Sequence, residues 1–165
     1  MATRKKTTKA RAKTAAVAKR ATGTRKPTRA RTKAASFALD SVAPSFTVSD
    51  LEKSLAFYRD VLGLVITDRW EREGKLMGVE MRAGRVTFML GQDDWKKGRG
   101  RVKGEGFRLY CDTTQDVDRL ARQIEARGGT LTQEPRDEPW GARAFAVQDP
   151  DGFKITIARM QRRGR

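Results

Sequence analysis

The chain has 165 residues, with 36 Lys and Arg against 20 Asp and Glu, one Cys and no His. Without imidazole there is no His general base, no Ser–His or Cys–His nucleophile pair and no His ligand for a transition metal. The single Cys111 excludes an intramolecular disulfide and a Cys-rich zinc site. No apolar run approaches the roughly 20 residues that span a bilayer, so we expect no membrane partner and a reducing, cytoplasmic location.

The positive charge is concentrated at the N-terminus. Residues 1–36 hold 13 cations and no acid, which leaves 36 − 13 = 23 basic and 20 acidic residues in the remainder. This segment, the arm, has almost no large apolar side chains to bury, and we expect it to be disordered. Its cations are Arg4, Lys5, Lys6, Lys9, Arg11, Lys13, Lys19, Arg20, Arg25, Lys26, Arg29, Arg31 and Lys33.

Cations without internal partners favour sequence-independent, salt-sensitive binding to nucleic acid through the release of counterions. We therefore expect DNA or RNA as the partner of the arm, and association with the nucleoid through it. Two alternatives stay open. The arm is either a solvated tail that only aids solubility, or an organelle transit peptide, although it lacks the apolar helical face of such peptides.

The remainder, residues 37–160, has the usual size of one domain, and a basic tail follows at 161–165. After a first strand, Ser49-Asp50-Leu51-Glu52 forms a capping box that predicts a helix start. Apolar residues at helical spacing continue from Leu51, and Gly63 ends this helix.

A second helix is predicted from Thr113 or Thr114 to Gly128, with its apolar residues on one side. Short runs of β-forming residues, separated by turn residues, predict eight strands. The strands lie near 41–48, 64–70, 76–82, 85–91, 105–111, 130–134, 141–148 and 153–159.

The order strand, helix and three strands therefore occurs twice. Gly63 and Gly128 close corresponding helices at an offset of 128 − 63 = 65 residues. The two modules cover about 41–91 and 105–159, and a basic linker at 92–104 joins them. Each module is too small to bury its sheet alone, so we expect the modules to pair, within one chain or between two chains.

Several motifs resemble one known family, the vicinal oxygen chelate superfamily of glyoxalase I, extradiol dioxygenases and the fosfomycin and bleomycin resistance proteins. They are residues 46–58 (FTVSDLEKSLAFY), 61–64 (VLGL), 139–141 (PWG) and 149–152 (DPDG). The Pro-Trp-Gly element is similar to the bleomycin-resistance-like branch. The resemblance implies an α+β fold of two βαβββ modules that form a curved mixed sheet around a cleft, and a homodimer.

Catalytic members of that family hold a metal with one side chain, usually His or Glu, from each of four strands. The matching positions here are Ala43, Met89, Gly106 and Thr156. None of them is a normal ligand for a catalytic divalent ion. The resemblance therefore implies no metal or other cofactor, and it argues against metal-dependent isomerase or dioxygenase chemistry.

Strand alternation leaves a small, mixed polar face opposite the apolar one, which predicts a ligand pocket. Trp140 either stacks on a ligand or plugs the sheet edge, and Arg108 and Tyr110 either bind an anionic or aromatic group or face solvent. The remainder has a net charge of +3, so we expect a small planar or anionic ligand. The candidate ligand-binding residues are Ala43, Ser45, Thr87, Met89, Gly106, Arg108, Tyr110, Trp140 and Thr156.

Other reactive or aromatic residues have simpler interpretations. Cys111 shares the parity of apolar neighbours and is expected to be an inert buried thiol. Asp137 and Glu138 are available carboxylates for acid–base chemistry, although a polar loop explains them as well. Trp70 and Trp95 are expected at a rim or a subunit contact.

These observations lead to one leading hypothesis and two alternatives. The leading hypothesis is a metal-independent small-molecule-binding protein, such as a drug-sequestering antibiotic-resistance protein, which the arm holds near nucleic acid. The first alternative is a metal-independent lyase or isomerase that uses a carboxylate such as Asp137. The second is a nucleoid-type nucleic-acid-binding protein in which the fold is only a dimerising scaffold.

Overall fold

The computed structural model describes residue 37 and residues 39–161, so the predictions for the arm and for residues 162–165 lie outside the described residues. No helix within the described part is long and apolar enough to cross a membrane. The strands are β1 (Ser45–Val48), β2 (Val65–Arg72), β3 (Lys75–Ala83), β4 (Val86–Gln92), β5 (Arg108–Asp112), β6 (Leu131–Asp137), β7 (Ala142–Gln148) and β8 (Lys154–Met160). The helices are α1 (Leu51–Leu55), which continues as a π-helix over Ala56–Val61, and α2 (Val117–Ala126).

Each module forms a four-stranded mixed sheet of its own. Sheet A has the strand order β1-β4-β3-β2, and sheet B has the equivalent order β5-β8-β7-β6. The first strand of each module runs parallel to the last, and the other neighbours are antiparallel. The prediction of an α+β fold with two βαβββ modules is confirmed, with the mixed sheet divided into two.

A single hydrophobic core joins the two modules. The ring of Phe46 on β1 lies 5.8 Å from that of Phe107 and 4.6 Å from that of Phe153, both in the second module. Within this chain the modules therefore pack against each other. The core also contains Val48, Leu51, Leu55, Val79, Met81, Leu90, Val117, Ile124, Phe145, Val147 and Ile155.

A buried carboxylate in the β7–β8 turn ties the modules together. Tyr58, in the π-helical segment, donates its hydroxyl to Oδ2 of Asp149 at 3.0 Å. Oδ1 of Asp149 accepts from the backbone N–H groups of Asp151 and Phe153, at 2.9 and 2.8 Å. Burial raises the pKa of the Asp149 carboxyl, and these donors oppose that rise because they stabilise the charged form. Beside it, the N–H of Ser49 donates to Oδ2 of Asp151 at 2.9 Å.

The predicted capping box is wrong by one residue. Asp50, not Ser49, is the N-cap of α1, and its carboxylate accepts from the N–H of Lys53 at 3.1 Å. Ser49 instead forms hydrogen bonds to residues distant in sequence. Its N–H donates to Asp151, and its carbonyl accepts from Nε2 of Gln92 at 2.9 Å. Contacts distant in sequence therefore set the start of this helix.

The second helix also starts later than predicted. Its N-cap is Asp116, whose carboxylate accepts from the N–H of Arg119 at 2.7 Å. Thr113 is held in the sheet instead, because its N–H donates to the carbonyl of Ala158 at 2.8 Å. The predicted end is close, with Gly128 at a φ of +82°.

Two strands, β1 and β5, begin well after their predicted starts at 41 and 105, and the other starts agree within one residue. β1 begins at Ser45 because the preceding residue, Pro44, has no N–H to donate to a ladder, although its carbonyl accepts from the N–H of Met89 at 2.9 Å. β5 begins at Arg108 after Gly106, whose φ of +70° departs from strand geometry. Positions 41–44 and 105–107 therefore precede the strands to which they were assigned.

We predict that Tyr58→Phe lowers the free energy of unfolding by about 1–3 kcal/mol, because a buried carboxylate loses a donor. The loss should be largest at neutral pH, where Asp149 is charged. It should shrink at about pH 3, below the usual Asp pKa of about 3.9, because protonation removes the charge that the hydroxyl stabilises. Urea unfolding at both pH values measures the difference.

Tyr110→Phe is the matched control, since Tyr110 is 44% exposed and the one hydrogen bond to its hydroxyl, from Trp140, is exposed to solvent. Loss of the Tyr110 hydroxyl should change the free energy of unfolding by less than about 0.5 kcal/mol. An equal effect of the two substitutions would contradict the role assigned to Tyr58.

Candidate functional site

The candidate site is the face of sheet B that points away from the core, here called the open face of sheet B. In register, Tyr110 on β5 pairs with Thr156 on β8, which pairs with Ala146 on β7, so all three lie on this face. Arg108 pairs with Lys154 on the same face. Along β7 and β8 three fully buried residues form what we call the alanine floor: Ala142, Ala144 and Ala158.

Trp140 reaches across this face. It lies in the turn between β6 and β7, and its Nε1 donates to the hydroxyl of Tyr110 on β5 at 3.1 Å. Because β5 and β6 are the opposite edges of sheet B, this contact places the indole over the open face. Trp140 is 51% exposed and Tyr110 is 44% exposed, so much of both rings is accessible. The position is not that of an edge plug.

Glu138 is a buried carboxylate that sequence reasoning assigned to a polar loop. Its Oε1 accepts from Nε2 of Gln133 at 2.7 Å and from Nε of Arg136 at 3.0 Å, and its side chain is only 5% exposed. Gln133 and Arg136 pair with Ala146 and Ala144, on the open face. The register of β6, which contains two irregularities, brings these groups together, and no local pattern indicates it.

The corresponding open face of sheet A contains the other predicted strand residues. Ser45, Met89 and Glu80 are neighbours across β1, β4 and β3. Glu80 accepts from Oγ1 of Thr67 at 2.9 Å. Sequence reasoning missed Glu80, although a charge between Val79 and Met81 in an apolar strand was an available signal. Thr87 lies on the same face, two residues before Met89.

Trp70 lies against a glycine on the open face of sheet A. It pairs with Gly78, and a Cβ at that position would lie 2.6 Å from Cε3 of Trp70 and 2.7 Å from the Leu90 carbonyl oxygen. The indole Nε1 donates to Oδ2 of Asp68 at 3.2 Å. Trp70, predicted at a rim or a subunit contact, thus packs on Gly78 and is 38% exposed.

The predicted ligand-binding residues fall into separate groups. Arg108, Tyr110, Trp140 and Thr156 lie on sheet B, whereas Ser45, Thr87 and Met89 lie on sheet A. Thr156 is 6% exposed, so it offers little surface to a ligand. Ala43 is exposed ahead of β1, and Gly106 precedes β5 with nothing within 4 Å of its missing Cβ.

The residues at the family's metal positions do not fit a divalent cation. Ala43 and Gly106 have no donor atom, and Met89 and Thr156 supply a thioether and a hydroxyl. Glu80, beside Met89, is a carboxylate near this position, but it is a single one. Over residues 39–161 no three Asp, Glu or Cys side chains converge as a metal site.

Two other candidate reactive groups lie off the open face. The pKa of Cys111 is raised to about 11, first by burial and then by the charge of Asp112, which keeps the thiol protonated. Asp137 accepts from Nη1 of Arg143 at 3.2 Å and from Nε2 of Gln161 at 2.7 Å. Arg143 also binds Asp118 of α2, so these contacts lie on the helix side of sheet B.

The charge of the open faces is mixed rather than basic. Arg108 and Lys154 lie at one end of sheet B, but Glu138 is buried on the same sheet and Glu80 lies on sheet A. The expectation of a cationic pocket came from the net charge and from strand alternation, and neither detects carboxylates whose partners are set by register.

Most of the folded part of the chain matches a known protein family. The model of the Glyoxalase/Bleomycin resistance protein/Dioxygenase superfamily matches residues 38–157. The lactoylglutathione lyase GLX1 of Arabidopsis thaliana is 29% identical over 122 residues, which cover 68% of this chain and 41% of that protein. The chain spans about two fifths of the length of this relative and of a second one from Brassica oleracea.

Two solved structures share the fold. A member of the same superfamily from Sphaerobacter thermophilus is 30% identical, with a TM-score of 0.57 over 71% of this chain and 94% of that one. TnmS3, an antibiotic binding protein from Streptomyces, is 25% identical, with a TM-score of 0.59 over 76% of this chain and 100% of that one.

We predict that Gly78→Ala lowers the free energy of unfolding by about 1–3 kcal/mol, because the new methyl group overlaps Trp70 and the backbone of Leu90. The indole must move, so the tryptophan emission spectrum should shift as well. Gly91→Ala is the matched control: Gly91 pairs with Gly78, yet a Cβ there has nothing within 4 Å. Equal losses in urea unfolding would refute the packing described for Trp70.

Proposed function

Since the chain belongs to the glyoxalase/bleomycin resistance protein/dioxygenase superfamily, as its motifs indicated, we propose that it binds and sequesters a small planar molecule without a metal. The binding surface is the open face of sheet B. The single observation that carries this proposal is the Trp140–Tyr110 pair. The indole Nε1 donates to the Tyr110 hydroxyl at 3.1 Å, and both rings are accessible beside the alanine floor.

The rings supply the apolar part of the site. An aromatic side chain buries a large area and prefers offset-stacked or edge-to-face contact with another ring. The hydrogen bond to Tyr110 fixes the indole of Trp140, so less conformational freedom is lost when a ligand binds. The alanine floor is fully buried, so the ligand contacts the two exposed rings rather than the alanines.

The polar groups fix the orientation of the ligand. The Tyr110 hydroxyl accepts from Trp140 and keeps its own proton for donation. Arg108 and Lys154, paired in register, favour an acidic or carbonyl group at their end of the face. A planar molecule with such a group is the ligand class that we propose.

We further propose that the protein works as a homodimer. Large apolar side chains are exposed on the described part of the surface, among them Met160 at 57% on the open face of sheet B, and Phe107 at 43% and Val86 at 48% on the core side of the sheets. Such surface favours association with a second copy. Sedimentation equilibrium distinguishes a monomer from a dimer.

A ligand titration tests the site. In the full-length chain, Trp70→Phe and Trp95→Phe together leave Trp140 as the sole indole, so its fluorescence reports the open face of sheet B. We expect saturable quenching by planar aromatic antibiotics, rather than by bleomycin-type glycopeptides or small anionic metabolites, with no effect of divalent metal. Removal of the second ring by Tyr110→Ala should raise the Kd about tenfold.

Met89→Ala is the matched control, since Met89 lies on sheet A, and it should leave the Kd unchanged. Unchanged Trp140 fluorescence across the whole panel, or an equal rise of the Kd in Tyr110→Ala and Met89→Ala, would refute the proposed site. Turnover of a bound ligand would favour the lyase or isomerase alternative.

We also propose that the arm binds nucleic acid. Its support is the charge of +13 in 36 residues. If about 8 of these cations meet phosphates, the plot of log affinity against log salt should have a slope of roughly −7 for duplex DNA. Fluorescence anisotropy of a labelled duplex across a salt series measures that slope for the full-length chain.

The control for the arm is a full-length variant with Gln at all thirteen cationic positions. It should lose most of the affinity and most of the salt dependence. Retained affinity would overturn the assignment to the arm and favour the alternative in which the folded part itself is the nucleic-acid-binding surface.

A further inference from the structure

A separate cavity lies on the other side of sheet A. Its volume is about 510 Å³, and it lies between the end of the β2–β3 hairpin and the loop that follows β4. Its lining includes Met77 and Gln92, which share a face with the buried core residues Val79 and Leu90. The cavity therefore opens on the side opposite the open face and is distinct from the proposed ligand site.

A buried aspartate orders the wall of this cavity. Asp93 is 4% exposed and accepts from Nζ of Lys103 at 2.5 Å, from Nη2 of Arg101 at 2.6 Å and from the N–H of Trp95 at 2.9 Å. The Lys103 ammonium, with the Trp95 N–H and Arg101, holds the pKa of Asp93 well below its usual range. The segment 93–103 of the basic linker is thus tied end to end, since Lys103 donates to Asp93.

Trp95 is fixed in a conformation that its size disfavours. Its φ is +59°, in the left-handed region that bulky residues rarely adopt, so the bond to Asp93 must offset the strain. The guanidinium carbon of Arg99 lies 4.8 Å from the centre of the indole ring, and Nζ of Lys103 lies 5.2 Å from it. The indole therefore holds the Arg99 guanidinium at the cavity.

The charge around the cavity is positive after its ion pairs are counted. Residues 37–161 carry 20 basic and 20 acidic residues, so the described part of the chain has no net charge. The cavity has three lining cations and three lining carboxylates, and three further cations pair with those carboxylates, which gives 6 − 3 = +3. Within the described residues neither Lys75 nor Arg99, both in the lining, forms an ion pair.

We propose that this cavity binds a phosphorylated small molecule of nucleotide size. The Arg99 guanidinium presents a planar pair of donors that matches a phosphate group, and Lys75 supplies a second cation without an acidic partner. A volume of about 510 Å³ far exceeds that of a phosphate ion and lies in the range of small-molecule sites. The phosphate belongs either to a free nucleotide or to the backbone of a nucleic acid, and the two share this chemistry.

The full-length chain allows a local test, because the arm has no tryptophan and the Trp95 indole N–H gives its own NMR signal. That signal is assigned by its loss in Trp95→Phe. The chain is titrated with adenosine monophosphate, inorganic phosphate, adenosine and a single-stranded oligonucleotide. We expect saturable shifts of the Trp95 signal with the monophosphate and with phosphate, and none with adenosine.

Arg99→Gln should raise the Kd of adenosine monophosphate at least about tenfold, because a charge-assisted contact is lost. Arg59→Gln is the matched control, since Arg59 is an exposed cation on the π-helical segment, paired with Asp60. The Kd of adenosine monophosphate for Arg59→Gln should equal that for the unmodified chain. An unmoved Trp95 signal, an equal shift with adenosine, or equal weakening in both variants would overturn the proposal.

The oligonucleotide separates the two sources of phosphate. In the variant with Gln at the thirteen cationic positions of the arm, a Trp95 shift at lower concentration than with the monophosphate assigns the site to a nucleic-acid backbone. A shift with the monophosphate alone assigns it to free phosphorylated molecules. Failure of the planar-ligand titration at Trp140 leaves this result untouched, because the two experiments report different faces and different indoles.

Discussion

The hydroxyl of Tyr58 reaches the buried carboxylate of Asp149 across the boundary between the modules, and the rest of the fold is arranged around that contact. A carboxylate away from water must be surrounded by donors, so the turn at 149–152 has one position in which it is satisfied. That position brings Phe153 onto Phe46 and Asp151 onto Ser49. The core is thereby shared between the modules rather than divided between them.

The shared core makes the two sides of each sheet different in packing. The side toward the helices is occupied by the common core, except at the end of the β2–β3 hairpin, where the cavity beside Asp93 lies. The opposite side is free of that constraint, and there the fold tolerates exposed rings, a buried glutamate and a floor of alanines. The Trp140–Tyr110 contact lies on this opposite side, beside the alanine floor.

Two buried aspartates fix the connections in different ways. Asp149 has neutral donors, a hydroxyl and two backbone N–H groups, and its pKa rises because burial dominates. Asp93 accepts from two cations and from the Trp95 N–H, and its pKa falls because these hydrogen bonds, that from Lys103 first, outweigh the effect of burial. The hydrogen bonds of Asp149 link the two modules. Those of Asp93 hold the cationic segment 93–103 and Trp95 at the end of sheet A. Both depend on side chains that fold into place from elsewhere in the chain.

The sequence alone determined the features that follow from local periodicity: the repeated order of elements, the core faces of the strands and the family. Alternation of apolar residues records which face is buried, and turn glycines record where elements end. The tertiary structure decided which polar group meets which. Glu138 and Glu80 became part of the open faces through strand register, and Asp50 became the helix cap because Ser49 was taken by Asp151. Local patterns encode burial, but a hydrogen bond between distant residues exists only once register and packing have placed both partners.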